Sequence, residues 1–200
     1  MSVAIAAAST AERPRAPVAP TRGVQVANVV VVQAAWFAAV LGAAQQMPLW
    51  GTACVIAAVV WHLGVSARPA QEAKLIALAC AIGLLVESAV AIQGNVTYPS
   101  GQPVAWLAPY WMVALWGELA IALNVTMRWL KPRLWLAALF GAIGGPAAFA
   151  AGVRLGGAAF VDRTPALVTL ACIYAVAMPL LVWLSNRFDG VSTRPEVERV

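Results

Sequence analysis

Long stretches without a charged residue dominate this sequence and limit what it can fold into. A run of 45 residues, 23–67, contains no Asp, Glu, Lys or Arg, and a run of 53 residues, 75–127, contains only Glu87 and Glu118. Two shorter charge-free runs cover 134–153 and 164–186. A helix needs about 20 apolar residues to cross the roughly 30 Å hydrocarbon core of a bilayer. The runs therefore predict several membrane-spanning helices.

The composition excludes most classes of water-soluble protein. Of the 200 residues, 62% are hydrophobic and 10% are charged, and the mean hydropathy is +0.80. A soluble domain carries about a quarter of its residues as Asp, Glu, Lys and Arg. A soluble enzyme, a nucleic-acid-binding protein and a disordered chain are therefore poor interpretations.

The lengths of the runs predict an all-α bundle of six transmembrane helices. Each long run holds two spans with a turn between them, and each short run holds one. The apolar residues are continuous, whereas a transmembrane β-strand alternates apolar and polar residues. We expect flexible cytoplasmic tails at 1–23 and 187–200 and one six-helix domain at 24–186. The predicted spans are approximately 26–44, 48–65, 75–94, 108–127, 134–152 and 166–184.

The basic residues predict the orientation of these spans. Eleven of the 13 Lys and Arg residues fall in four segments on one side: Arg13, Arg15, Arg22, Arg68, Lys74, Arg128, Lys131, Arg133, Arg187, Arg194 and Arg199. Only Arg154 and Arg163 fall on the other side. Because cytoplasmic loops are enriched in Lys and Arg, we expect both termini in the cytoplasm. The net charge of +5 is then a sign of topology, and nucleic acid is not an expected partner.

Glu87 and Glu118 are the two acidic residues predicted to lie within the membrane. A carboxylate at the centre of a bilayer is costly, at about 2.5–3.5 kcal/mol on insertion scales, and such residues often serve proton or ion pathways. The two acids lie on neighbouring antiparallel helices and could face one cavity. They could form a proton or cation site. They could equally be protonated acids that hold helices together through hydrogen bonds.

A glycine-rich segment in the fifth span is the second notable feature. Gly141 and Gly145 form a GxxxG pair, and small residues recur every four positions at Gly144, Ala148, Gly152 and Gly156. Such ridges let helices approach closely. Pro146 removes a helical hydrogen bond and should kink the helix. Close packing is the favoured interpretation, although a kinked helix could also line a cavity.

Two further polar residues are candidates for ligand binding. Arg154 follows the glycine-rich segment at the outer boundary and could meet an anionic group or extend to the interface. Asn124 could position a ligand or form a hydrogen bond between helices, and the latter is favoured. The single His62 and the cysteines Cys54, Cys80 and Cys172 offer too few ligands for a zinc or haem site. We expect no metal, no cofactor and no catalytic residues.

Three blocks of residues carry a resemblance. The blocks are Asn28 with Trp36-Phe37 and Leu41-Gly-Ala-Ala44; Pro109-x-Trp111 with Leu115-Trp116, Asn124 and Arg128-Trp-Leu130; and the most specific pair, Gly141-Ala-Ile-Gly-Gly-Pro146 with Ala151-Gly-Val-Arg-Leu-Gly156. Over residues 26–184 the chain resembles a family of small bacterial inner-membrane proteins classed as a domain of unknown function. The resemblance implies this location and fold, and no established activity. It implies Asp at the position of Glu87 and Asn-His-Ser at 124–126, where this chain has Val125.

Two functions fit the sequence best. In the first, the protein binds or moves a small or lipid-like molecule in a cavity between the third, fourth and fifth helices. Glu87 and Glu118 would then handle a proton or cation, Asn124 would position the ligand and Arg154 would meet an anionic group. In the second, the protein is an accessory scaffold for a lipid-modifying membrane enzyme, or associates with a second copy. An enzyme is the weaker interpretation, because no His lies beside the two acids.

Overall fold

The computed structural model describes residues 20–191. Most of the two predicted tails, 1–19 and 192–200, lies outside this range. The described chain forms six α-helices, a single 3-10 turn at Arg128–Leu130 and two short strands. The helices are α1 Arg22–Ala44, α2 Pro48–Val65, α3 Pro69–Gln93, α4 Tyr110–Leu123, α5 Leu134–Arg154 and α6 Arg163–Arg187. The strands are β1 Val96–Thr97 and β2 Ala159–Phe160.

Local sequence signals explain where several helices begin and end. The Thr21 hydroxyl accepts from the backbone of Val24 at the start of α1, and Asp162 caps α6 in the same way. Helices α2 and α3 each begin at a proline, whose fixed φ and missing N–H suit the first helical position. Helix α3 ends at Gly94, whose φ of 77° is in the left-handed region that glycine adopts easily.

Helix α4 is shorter than the predicted 108–127 and lies at the centre of the bundle. It has 14 residues, nine of them buried, and it packs against α1, α2, α3 and α6. Its 14 residues rise only about 21 Å at 1.5 Å each. The helix ends at Asn124, whose side chain forms a hydrogen bond with another buried side chain. Irregular backbone is tolerated at membrane depth where protein surrounds it, so neighbouring helices allow this early end.

The other five helices are long and apolar enough to cross a membrane. Large hydrophobic residues face outwards from them, with Leu85 74% exposed and Val176 72% exposed. A water-soluble monomer seldom presents so much apolar surface. The structure is thus that of an all-α, multi-pass membrane protein.

The two ends of the bundle carry different loops, and we call them the strand end and the terminal end. The strand end carries β1 and β2, which pair antiparallel with Val96 opposite Phe160, and the turn between α1 and α2. Gln46 and Ser100 connect these loops, since Gln46 donates to the carbonyl of Pro99 at 2.9 Å. The terminal end carries the residues before α1, the loops 66–68 and 124–133, and residues 188–191 after α6.

Among the helices of residues 20–191, α5 packs closely on α6 and has few contacts with α1 or α4. Helices α5 and α6 pack closely, as do α1 with α2 and α3 with α4, whereas α1 and α5 scarcely touch within residues 20–191. The site described next lies between α1, α4, α5 and α6.

Candidate functional site: an apolar cavity and three buried carboxyl groups

A cavity of about 280 Å³ lies between α1, α4, α5 and α6. It is partly open, and nearly all of its lining is apolar. Six aromatic residues contribute to the wall: Trp36, Trp111, Trp116, Phe140, Phe149 and Tyr174. Helix α3 does not line this cavity, so the predicted location between the third, fourth and fifth helices needs correction. The reason is that α3 packs tightly on α4, where Gly83 and Gly117 admit neighbouring side chains.

Glu118 is the acidic residue on the wall of this cavity. It lies on α4 and is 3% exposed. Its Oε1 atom has no hydrogen-bond partner among the described residues. The residues that line the cavity include no Lys, Arg or His. A buried carboxyl oxygen without a partner is unusual, because burial of an unsatisfied polar group is unfavourable.

Glu87 on α3 is satisfied by three donors. Its Oε1 accepts from Trp116 Nε1 at 3.0 Å and from the Tyr174 hydroxyl at 2.9 Å, and its Oε2 accepts from the Tyr98 hydroxyl at 3.3 Å. Burial and the neighbouring Glu87 carboxylate raise the pKa of Tyr98, in the loop after β1, well above its ordinary value. The Tyr98 hydroxyl therefore keeps its proton and remains a donor.

The hydrogen bonds of Glu87 fix two rings of the cavity wall. Trp116 and Tyr174 both line the cavity, and their ring centroids are 5.3 Å apart. Gly83 lies one turn before Glu87. Because it has no side chain, the Trp116 ring can pack against it, whereas a Cβ there would collide with Trp116. Glu87 itself is not among the lining residues. The two predicted intramembrane acids thus have separate surroundings, because Glu118 lines the cavity and Glu87 does not.

The glycines of α5 all line the cavity but differ in how closely α6 approaches them. Gly141 and Gly145 lie against the backbone and ring of Tyr174 on α6, where a Cβ would collide with them. Gly144 and Gly152 line the cavity, and a Cβ on either would meet no atom closer than 3.7 Å. The segment therefore serves both close packing and the cavity. Pro146 lies inside α5, which is helical on both sides of it.

A polar cluster at the terminal end surrounds a third buried carboxyl group, that of Glu72. Glu72 lies in the first turn of α3 and is fully buried. Its Oε2 is 2.7 Å from Nε2 of His62 on α2. Its Oε1 accepts from Asn124 Nδ2 at 2.7 Å and from the backbone N–H of Gly190 at 2.5 Å. We call Glu72, His62, Asn124 and Gly190 the Glu72 cluster.

Ion pairs hold the segment after α6 against the same end. Asp189 Oδ2 is 2.8 Å from Arg128 Nη1 and 2.8 Å from Lys131 Nζ. Arg68 donates from its side chain to the carbonyl of Asp189 and from its backbone to that of Gly190. Burial lowers the pKa of Lys131, and the bond to Asp189 partly opposes that shift. Three basic residues of this end, Arg68, Arg128 and Lys131, therefore bind the last described residues of the chain.

Comparison with protein families identifies the chain. A family model described as a protein of unknown function, DUF2878, matches residues 25–180, which include all six helices except the first residues of α1 and the last turns of α6. The chain belongs to the DUF2878 family. Comparisons with curated proteins and with solved structures give no significant match.

The structure separates the four predicted ligand-binding residues of this DUF2878 protein. Glu118 lies on the cavity, Glu87 lies behind the wall, and Asn124 lies in the Glu72 cluster. Arg154 ends α5 with an exposed side chain that is not part of the cavity lining. Gly156 follows in the turn to β2 with a φ of 85°, a conformation that glycine adopts easily. Within residues 20–191, no three His, Cys, Asp or Glu residues are grouped to hold a metal.

Glu72 and His62 are the polar residues that sequence reasoning did not connect. Glu72 lies between Arg68 and Lys74, and this pattern is typical of a charged loop. Pro69 was the available signal, since a proline at this position indicates that α3 begins before Glu72 and not after it. The contact with Gly190 joins residues 118 positions apart and has no local signature.

Proposed function

We propose that this DUF2878 protein is a six-span bacterial inner-membrane protein with both termini in the cytoplasm, and that it binds a hydrophobic, lipid-like molecule within the bilayer. The terminal end would face the cytoplasm, because it carries most of the basic residues. Helix α4 would be a span in addition to the five longer helices. It can be short because other parts of the protein surround both of its ends.

The apolar cavity is the observation that carries this proposal. Its volume of about 280 Å³ is just below the usual 300–1,000 Å³ of small-molecule sites. It is therefore suited to one compact molecule or one alkyl chain, and not to a complete two-chain phospholipid. The sparse contact between α1 and α5 would give such a molecule a path from the bilayer.

The glycines of α5 allow a specific test of the cavity. Gly144→Leu and Gly152→Leu would each place a side chain in the cavity without a backbone collision. Gly64→Leu on α2 is a matched control, because Gly64 is exposed and its surroundings are also open. None of these changes should disfavour the helix, since Leu has a higher helix propensity than Gly.

The experiment uses the full chain in phosphatidylcholine nanodiscs and a decanol that carries a photoreactive diazirine. We expect mass spectrometry to find the label on residues of the cavity wall in the unchanged protein and in Gly64→Leu. Labelling of the wall should be lost in Gly144→Leu and Gly152→Leu. Equal labelling of the wall in all four proteins, or no labelling there in any of them, would contradict the proposed function.

A further inference from the structure

Glu118 indicates the chemistry of the ligand in this cavity. It is the only Asp, Glu, Lys, Arg or His among the lining residues, and its Oε1 has no partner within residues 20–191. A buried carboxylate is normally paired with a cation or satisfied by donors, because removal from water is otherwise strongly unfavourable. The cavity thus has an acceptor but no basic group of its own.

The aromatic residues of the wall complement the same kind of ligand. Rings attract a cation placed over their faces, at about 0.5–2 kcal/mol in proteins. The polar atoms of three of these rings are already engaged: Trp111 Nε1 donates to the carbonyl of Ser100, and Trp116 Nε1 and the Tyr174 hydroxyl donate to Glu87. The rings still line the cavity, so a bound cation lies near them, while Glu118 supplies the acceptor.

An anionic ligand would meet the opposite conditions. A fatty acid or a lipid phosphate in this cavity would find no basic residue to balance its charge. Burial of an unpaired negative charge is strongly unfavourable. The charge pattern of the wall therefore selects against acids.

From these contacts we infer that the cavity binds a hydrophobic amine. Its alkyl or ring portion occupies the space beside Gly144 and Gly152, and its ammonium group donates an N–H to Glu118 Oε1. The inference rests on the proposed function, because it names the ligand class of the same cavity.

The test compares three ligands of equal chain length: decylamine, decanol and decanoic acid. Each competes, at equal concentration in the bilayer, with the photoreactive decanol for the full-length protein in phosphatidylcholine nanodiscs. We expect decylamine to compete at least about tenfold better than decanol, since a hydrogen bond to a charged group is stronger than a neutral one. Decanoic acid should compete worst.

Glu118→Gln provides the decisive variant. It should reduce competition by decylamine about tenfold and leave competition by decanol nearly unchanged, which also shows that the variant is folded. Asp162→Asn is the matched control, because it removes one carboxylate from an exposed position at the start of α6, where Asn is also a good cap. It should leave the order of the three ligands unchanged.

The outcomes separate the two proposals. If the wall is labelled and decanol competes, but decylamine has no advantage or keeps it in Glu118→Gln, the inference about amines is wrong and the proposed function stands. Tight competition by decanoic acid overturns the inference in the same way. If the photoreactive decanol never labels the wall, the proposed function fails first.

Discussion

Glu72 and Glu118 are both buried carboxyl groups on apolar helices, and their surroundings are opposite. Glu72 accepts from Asn124 and Gly190 and is paired with His62, whereas Glu118 Oε1 has no partner among the described residues. A buried carboxyl group with internal partners on both oxygens fixes one arrangement of chain segments, while a carboxyl oxygen without a donor is suited to a partner from outside. The comparison assigns stability to the terminal end and ligand binding to the cavity.

The largest loss of stability should come from Glu72→Leu. The change leaves His62, Asn124 and the N–H of Gly190 buried without their partner, and breaking a buried pair in this way costs about 3–5 kcal/mol. Unfolding in detergent, followed by circular dichroism, measures the loss. Glu72→Gln keeps an acceptor and should lose clearly less. Equal stability of Glu72→Leu and the unchanged protein would show that the cluster does not hold the terminal end together.

Glu87→Leu should have the second largest effect on stability. It leaves the donors of Trp116, Tyr174 and Tyr98 unsatisfied, and the loss should be about 3 kcal/mol at roughly 1 kcal/mol for each. Tyr174→Phe removes one donor and should cost about 1 kcal/mol in the same unfolding assay. A loss for Glu87→Leu no larger than that for Tyr174→Phe would mean that the three hydrogen bonds do not act together.

Asp189→Asn should have a smaller effect. Asp189 pairs with Arg128 and Lys131, but the pairs are partly accessible to solvent, and such pairs contribute about 1 kcal/mol or less. The change also removes the group that opposes the fall in the pKa of Lys131. Lys131 should then lose its proton at a lower pH, which a pH series of lysine acetylation, read by mass spectrometry, measures. An unchanged pH profile would show that Asp189 does not affect the pKa of Lys131.

Glu118→Leu should have the smallest effect on stability, and it sharpens the comparison most. No donor loses a partner at Oε1, and an unsatisfied polar group is replaced by an apolar one. The free energy of unfolding should therefore stay within about 1 kcal/mol of the unchanged protein, or rise. A loss comparable to that of Glu72→Leu would show that Glu118 belongs to the internal hydrogen bonding of the fold.

The sequence predicted the helices better than it predicted the polar contacts. The charge-free runs located α2 with the observed bounds, and they singled out Glu87 and Glu118 because no other acids interrupt them. The environment of Glu87 depends on Trp116 and Tyr174, which come from two other helices. Spacing along the chain carries no information about such contacts.

The glycines of α5 illustrate the same limit. Their spacing predicts a close helix contact, and Gly141 and Gly145 do lie against α6. The sequence could not reveal that Gly144 and Gly152 line a cavity, because that depends on the absence of packing between α1 and α5. Glu72 was missed for a different reason, since the start of α3 at Pro69 makes an apparent loop residue part of a buried helix turn.

The thermal unfolding of the purified full chain with and without decylamine tests the central claim most directly. A ligand that binds only the folded state raises its stability, and the rise increases with the ligand concentration relative to Kd. We predict a higher unfolding temperature with decylamine for the unchanged protein and for Asp162→Asn, and little change for Glu118→Gln and Gly144→Leu. The same rise in all four proteins would contradict a cavity that binds a hydrophobic amine through Glu118.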